Sequence, residues 1–184
     1  MMGGIGKGIH AILCTNKDGY FSIGGIPMYD FSRVSEHILE LTKNSVVVMG
    51  YGAFLLRGKK TYPECFNIVM TEKVTQGIRD NVLYLPNVTD VLDEFGRSPF
   101  KNLYVLGGLK TFNLFLPFLD SIDLTIVEDH YVGENRINLN AVLPMFKEEE
   151  ALRVDLGTRT DIISGKPFKL TTFWYSRIDA RRLY

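Results

Sequence analysis

The stretch Asn102-Leu103-Tyr104-Val105-Leu106-Gly107-Gly108-Leu109-Lys110-Thr111-Phe112-Asn113-Leu114-Phe115-Leu116-Pro117 contains a whole βα step. Its opening residues form an apolar run without polar alternation, as in a strand covered on both faces. The glycine pair breaks that run. Leu109 to Leu116 then reads as a helix, closed by Pro117. A second copy of the pattern lies upstream: Val46-Val47-Val48-Met49 ends at Gly50-Tyr51-Gly52, and Ala53-Phe54-Leu55-Leu56 opens a short helix. In parallel sheets, ligands bind at the carboxyl ends of strands, where glycine turns admit the backbone to phosphate. Neither turn matches a Walker motif or the dinucleotide fingerprint. Gly3-Gly4-Ile5-Gly6-Lys7-Gly8 has no Ser or Thr after its lysine and precedes the first strand, so it reads as a leader.

Working outward, Ile9-His10-Ala11-Ile12-Leu13-Cys14 is a buried strand, followed by a long irregular loop from Asn16 to Tyr29. From Asp30, a plausible N-cap, Phe31, Val34, Ile38, Leu39 and Leu41 recur at helical spacing. Phe66 to Met70 and Val82 to Leu85 are strands, and Val88 to Phe95 is a helix stopped by Gly96. Ser121 to Glu128 is a further strand. Leu152 to Leu156 and Lys169 to Tyr175 form an antiparallel hairpin. The expected class is α/β, a three-layer sandwich with a mainly parallel central sheet and an antiparallel C-terminal hairpin. A single domain is expected over residues 1–184, with 1–8 as a flexible leader and 178–184 as a tail.

Composition narrows the function classes. The 184 residues are 46% hydrophobic, enough for a full core, and 21 basic side chains balance 21 acidic ones. That balance argues against nucleic acid and anionic membrane surfaces as partners. No apolar run approaches a bilayer span, and the N-terminus lacks the pattern of a secretory signal, so a cytoplasmic location is expected. Cys14 and Cys65 fit reduced core thiols, and His10, His37 and His130 show no metal-ligand spacing.

The order of these segments resembles the dihydrofolate reductase family, including its divergent viral and plasmid-like members, from Ile9 to Arg177. The resemblance rests on Val46-Val47-Val48-Met49-Gly50, on Leu103 through Pro117, on Asn67-Ile68-Val69-Met70-Thr71 and on Asp123-Leu124-Thr125-Ile126. It implies an NADPH-dependent reductase of dihydrofolate or a related pterin, serving one-carbon metabolism and nucleotide biosynthesis. By the same resemblance, Gly50, Tyr51, Ala53, Thr71, Gly107, Gly108, Leu109, Lys110, Thr111 and Phe112 contact the cofactor. Leu13, Val34, Ile38, Leu106 and Thr125 line the pterin site. The mechanism implied is hydride transfer to the pterin, with protonation of the neighbouring ring nitrogen assisted by a buried carboxylate.

The pocket departs from the family pattern. Counted back from Met49-Gly50 without gaps, the acid position holds Val34, whereas a second register matches Asp30-Phe31-Ser32-Arg33-Val34 to the family's helix start and makes Asp30 the catalytic acid. Glu36 is a third candidate, off the apolar face. The arginine that forks onto the substrate's glutamate is missing from Tyr62-Pro63-Glu64-Cys65-Phe66, which leaves Arg57, Lys59 or Lys60 to reach that place. Tyr51-Gly52-Ala53 replaces the usual basic residue and threonine, so a 2′-phosphate would fall to Lys73 or Lys110. Two readings stay open: a divergent reductase, or an inactive protein of the same fold that binds another protein or ligand.

Overall fold

The computed structural model describes residues 7–23, 26–27, 32–128, 132–133, 135–160 and 165–178. In chain order the elements are β1 (Gly8–Asn16), β2 (Ser22–Ile23), β3 (Ile26–Pro27), α1 (Ser32–Thr42), β4 (Val46–Gly50), α2 (Tyr51–Leu56), β5 (Phe66–Met70), β6 (Gly77–Arg79), β7 (Val82–Leu85), α3 (Val88–Arg97), β8 (Asn102–Val105), α4 (Leu109–Phe115), β9 (Ser121–Val127), α5 (Leu139–Val142), β10 (Phe146–Glu148), β11 (Val154–Thr160) and β12 (Pro167–Arg177). Two compact units are built from them: residues 1–12, 38–120 and 181–184 in one, 13–37 and 121–180 in the other.

The first unit is a parallel βα assembly. The first residues of β1 pair with β8, β8 with β4, β4 with β5 and β5 with β7, all parallel. Val46, Val47 and Val48 are fully buried and Met49 nearly so, the signature of a strand covered on both faces. On one side Val47, Met49, Val69, Val82 and Tyr104 pack with Phe54 of α2 and Tyr62. Buried Val91 and Phe95 of α3 and Phe112 and Phe115 of α4 add to the core.

The second unit is antiparallel. β12 pairs with β9 along one edge, and on the other with β11 through its first half and β10 through its last residues. Thr125 stands opposite Thr172, and Asp123 opposite Trp174. Alternation along β9 therefore puts Ser121, Asp123, Thr125 and Val127 on one face and Ile122, Leu124 and Ile126 on the other.

Several expectations need correction. Lys7 and Gly8 are not leader: Lys7 Nζ donates to the carbonyls of Phe95 and Ser98 (both 2.6 Å), and Gly8 opens β1 opposite Asn102. Of the expected tail, Ile178 donates its N–H to Met145 O, while residues 179–184 lie outside the described part. The loop after β1 starts in a fixed turn. Buried Asn16 accepts from the N–H groups of Asp18 and Tyr20, and β2 and β3 then pair as a short ladder. Gly96 does not stop α3; the helix runs to Arg97 and ends on Ser98, whose hydroxyl donates to Phe95 O. Leu39 faces outward on α1, 36% exposed. β6 and β10 were not foreseen. β6 is three largely exposed residues turned onto β7 by Asp80 and Asn81, both at positive φ (49° and 62°), so the hairpin lacks the glycine that usually marks it. Cys14 and Cys65 are only half-buried, and Cys65 Sγ donates to Thr42 O at 3.1 Å.

Candidate functional site

The two glycine turns of the first unit are bound to each other. Gly50 N–H donates to Gly107 O at 3.2 Å, and a Cβ at Gly50 would stand 2.6 Å from Thr111 Oγ1. Gly50 has ordinary extended torsions (φ −72°, ψ 160°), so the glycine is required by close approach and not by backbone strain. Gly107 (φ 141°) and Gly108 (φ 57°) are the opposite case, in conformations that other L residues rarely adopt. Among the described residues, a Cβ at Gly107 would meet only Ala53 Cβ at 3.7 Å, and one at Gly108 only Thr111 Oγ1 at 3.9 Å. Among the described residues, little stands over the backbone of this turn, and α4 begins immediately after it with the amides of its first turn. A cradle of bare peptide groups fits the diphosphate of a dinucleotide.

Gly50, Ala53, Gly107, Gly108 and Thr111 are therefore brought together. Half-buried Tyr51 packs on the core. Leu109 is half-buried and Lys110 exposed. Phe112, 1% exposed, belongs to the core, and its N–H closes the first helical bond onto Gly108 O. Thr71 is buried, with its N–H on Leu85 O and its hydroxyl accepting from Lys73 N at 3.0 Å. Among the expected pterin residues of this unit, half-buried Ile38 and Leu106 pack against the same apolar cluster.

In the second unit, Asp30 lies outside the described residues. Val34 is buried, Leu13 half-buried and Glu36 exposed. Thr125 Oγ1 and Thr172 Oγ1 share a hydrogen bond of 2.7 Å, both nearly inaccessible to water. Two residues before Thr125, on the same face of β9, Asp123 is 3% exposed. His37 Nε2 donates to both of its carboxylate oxygens, at 2.9 and 3.1 Å. That hydrogen bond, reinforced by the Asp123 charge, raises the His37 pKa above its ordinary value against the opposing effect of burial. Sequence reasoning took Asp123 only as part of a strand and found no partner for His37. The available signal was an acid two residues from Thr125, hence on its face.

The basic residues near Tyr62 do not make a fork. The Arg57 guanidinium stacks 3.9 Å over the Tyr62 ring, while Lys59 and Lys60 are exposed. The loop itself is held by buried Asn67, which accepts from Tyr62 N–H and donates to the carbonyls of Tyr62 and Cys65. On the second unit's other face, Leu124, Ile126 and Phe173 line an open depression with Lys17 and Glu128 at its rim, away from Thr125. No group of residues able to hold a metal ion is present among the described residues.

Comparison with known proteins bears on the family and the fold. The family model described as dihydrofolate reductase matches residues 8–151. The dihydrofolate reductase of Lactococcus lactis is 29% identical over 100 residues, covering 54% of this chain and 59% of that enzyme. That of Ureaplasma parvum is 23% identical over 137 residues, covering 70% of this chain and 85% of the relative. A solved dihydrofolate reductase from Enterococcus faecalis, complexed with NADP(H) and RAB-propyl, superposes with a TM-score of 0.75 at 17% identity, over 94% of this chain and 97% of that one. A parallel βα unit with the paired glycine turns, an antiparallel unit carrying Thr125, and a family match across most of the length together place the chain in the dihydrofolate reductase family.

Proposed function

We propose that this protein reduces dihydrofolate or a closely related pterin at the expense of NADPH. The observation that carries the reading is the turn at Gly107 and Gly108, which only glycine adopts freely and which opens its backbone to a ligand at the head of α4. NADPH would supply a hydride. Gly107, Gly108 and the first amides of α4 hold its diphosphate, and Ala53 and Thr111 border it, while Lys73 or Lys110, both exposed, reach its 2′-phosphate. The pterin is assigned to Thr125, Leu13, Val34, Ile38 and Leu106. Asp30 is the carboxylate that the second register offers as acid. Arg57 lies flat on Tyr62, so recognition is directed at the pterin ring more than at the glutamate tail.

The test mixes purified protein with NADPH and dihydrofolate, follows the loss of nicotinamide absorbance, and runs Asp30→Asn in parallel. Turnover by the wild type is expected. Absence of turnover together with absence of NADPH binding by calorimetry would overturn the proposal and leave the fold as a scaffold for some other ligand.

A further inference from the structure

His37 and Asp123 form an arrangement that packing alone does not require. Burying an ion pair costs several kcal/mol per ion before any attraction is recovered, and an apolar pair of similar size would fill the same space at no such penalty. Asp123 is held by Nε2 of His37, and no partner for the second ring nitrogen, Nδ1, is found among the described residues. The His37 side chain keeps 21% of its surface open, whereas Asp123 keeps 4%. A buried carboxylate thus fixes an imidazole at one nitrogen and leaves the other able to exchange a proton.

The position within the unit is equally specific. His37 follows Val34 by three residues on α1, one turn along the same side, and Val34 is the residue that the ungapped register puts at the acid's place. Asp123 precedes Thr125 by two on β9, on the same face and roughly 7 Å away along the strand. We infer that His37 is the proton donor of the pterin site, with Asp123 as the residue that positions it, so that the acid function has moved from a carboxylate to an imidazolium. This rests on the reductase reading above. In the step itself, the C=N bond of the pterin gains a hydride at carbon from the reduced nicotinamide, which leaves oxidised, and a proton at nitrogen from His37 Nδ1. Water then reprotonates the imidazole.

Among the described residues the pH dependence has a single electrostatic source. Of the ionisable side chains on this face of β9 and β12, Asp123 stands alone, since the β12 residues there are Leu170, Thr172, Trp174 and Ser176. On α1, Arg33, Glu36 and Glu40 are exposed. Asp123 raises the His37 pKa above its ordinary value and so favours the protonated imidazole.

The experiment has two readouts. NMR titration of the imidazoles, in wild type and Asp123→Asn, gives the His37 midpoint without any ligand. Single-turnover reduction gives the pH profile of wild type, His37→Gln, Asp123→Asn and Asp30→Asn. The expected wild-type rate falls as pH rises through the NMR midpoint. Asp123→Asn lowers midpoint and limb together, and His37→Gln removes the limb and slows the reaction about 100-fold near neutrality. A wild-type limb that does not coincide with the NMR midpoint overturns the inference even if His37→Gln fails to fold. So does a limb that survives in His37→Gln or disappears in Asp30→Asn alone, with the reductase reading intact. A wild type without turnover overturns both.

Discussion

Replacing Gly50 by alanine tests whether the two glycine turns are coupled as described. The new methyl would stand 2.6 Å from Thr111 Oγ1, where ordinary contact begins near 3.4 Å, and 3.9 Å from Gly107 O. Thr111 is buried and β-branched, so it cannot swing aside without disturbing α4. Overpacking of this kind costs about 1–3 kcal/mol. Because Gly50 has extended torsions that alanine also adopts, about 0.4–1 kcal/mol returns through the unfolded chain. The net loss is about 0.5–2 kcal/mol. In a Thr111→Ala background the hydroxyl is gone, and the same Gly50→Ala change should be neutral or slightly stabilising, giving a coupling of about 1–3 kcal/mol. Urea unfolding of wild type, both single variants and the double variant measures it, provided that the denaturant slope stays constant. If Gly50→Ala costs the same in both backgrounds, the crowding does not come from Thr111 and the account of the turns is wrong.

Asn67→Ala removes three hydrogen bonds that close the loop from Tyr62 to Cys65, two of them buried. It should destabilise by about 2–4 kcal/mol in urea unfolding, and a loss under 1 kcal/mol would contradict the bonding scheme. Gly107→Ala and Gly108→Ala force positive φ on a residue with a Cβ, at about 1–2 kcal/mol each, and should weaken NADPH binding by calorimetry at least tenfold. Unchanged affinity would remove that turn from the cofactor site. His37 titrates in the unfolded chain near 6.5 and higher in the folded one, so the stability it contributes is fully present below 6.5 and is lost as pH rises through the folded value. Wild type should therefore lose more stability than His37→Gln between about pH 5.5 and 8.5, and equal slopes would refute the ion pair. With Arg57 stacked on Tyr62, removing the glutamate tail from the substrate should raise KM less than tenfold, whereas a bidentate arginine contact would show a larger loss.

Most of the fold could be read from the chain because its decisive features are local. A parallel strand covered on both faces must be apolar at every position, and Val46 to Met49 and Leu103 to Val105 are so. Gly107 and Gly108 declare themselves because a positive φ is a demand on one residue. Elements with weaker local demands were missed or misplaced. β6 is short and exposed, β10 is three residues held by the end of β12, and Gly96 suits a helix stop but sits in a helix that continues to Arg97.

The same distinction separates the two glycine turns, which are legible in the sequence, from the His37–Asp123 pair, which is not. Bare peptide at a strand end leaves glycine in the sequence, whatever the rest of the chain does. A buried charge leaves no such mark. His37 and Asp123 are 86 positions apart, each unremarkable in its own segment, and only the packed unit makes one the donor to the other. In the sequence, the candidate acids Asp30 and Glu36 are simply the carboxylates that neighbour Val34. Yet nothing in the physics of protonation confines the acid to that stretch. A group that gives up a proton near neutrality needs a raised pKa, a fixed orientation and one free ring nitrogen or oxygen. An imidazole clamped by a strand carboxylate meets those conditions as well as a helix carboxylate does. Val34 can then occupy the helix position as plain packing, 3% exposed, and its loss of an acidic side chain is offset on β9 rather than left uncompensated.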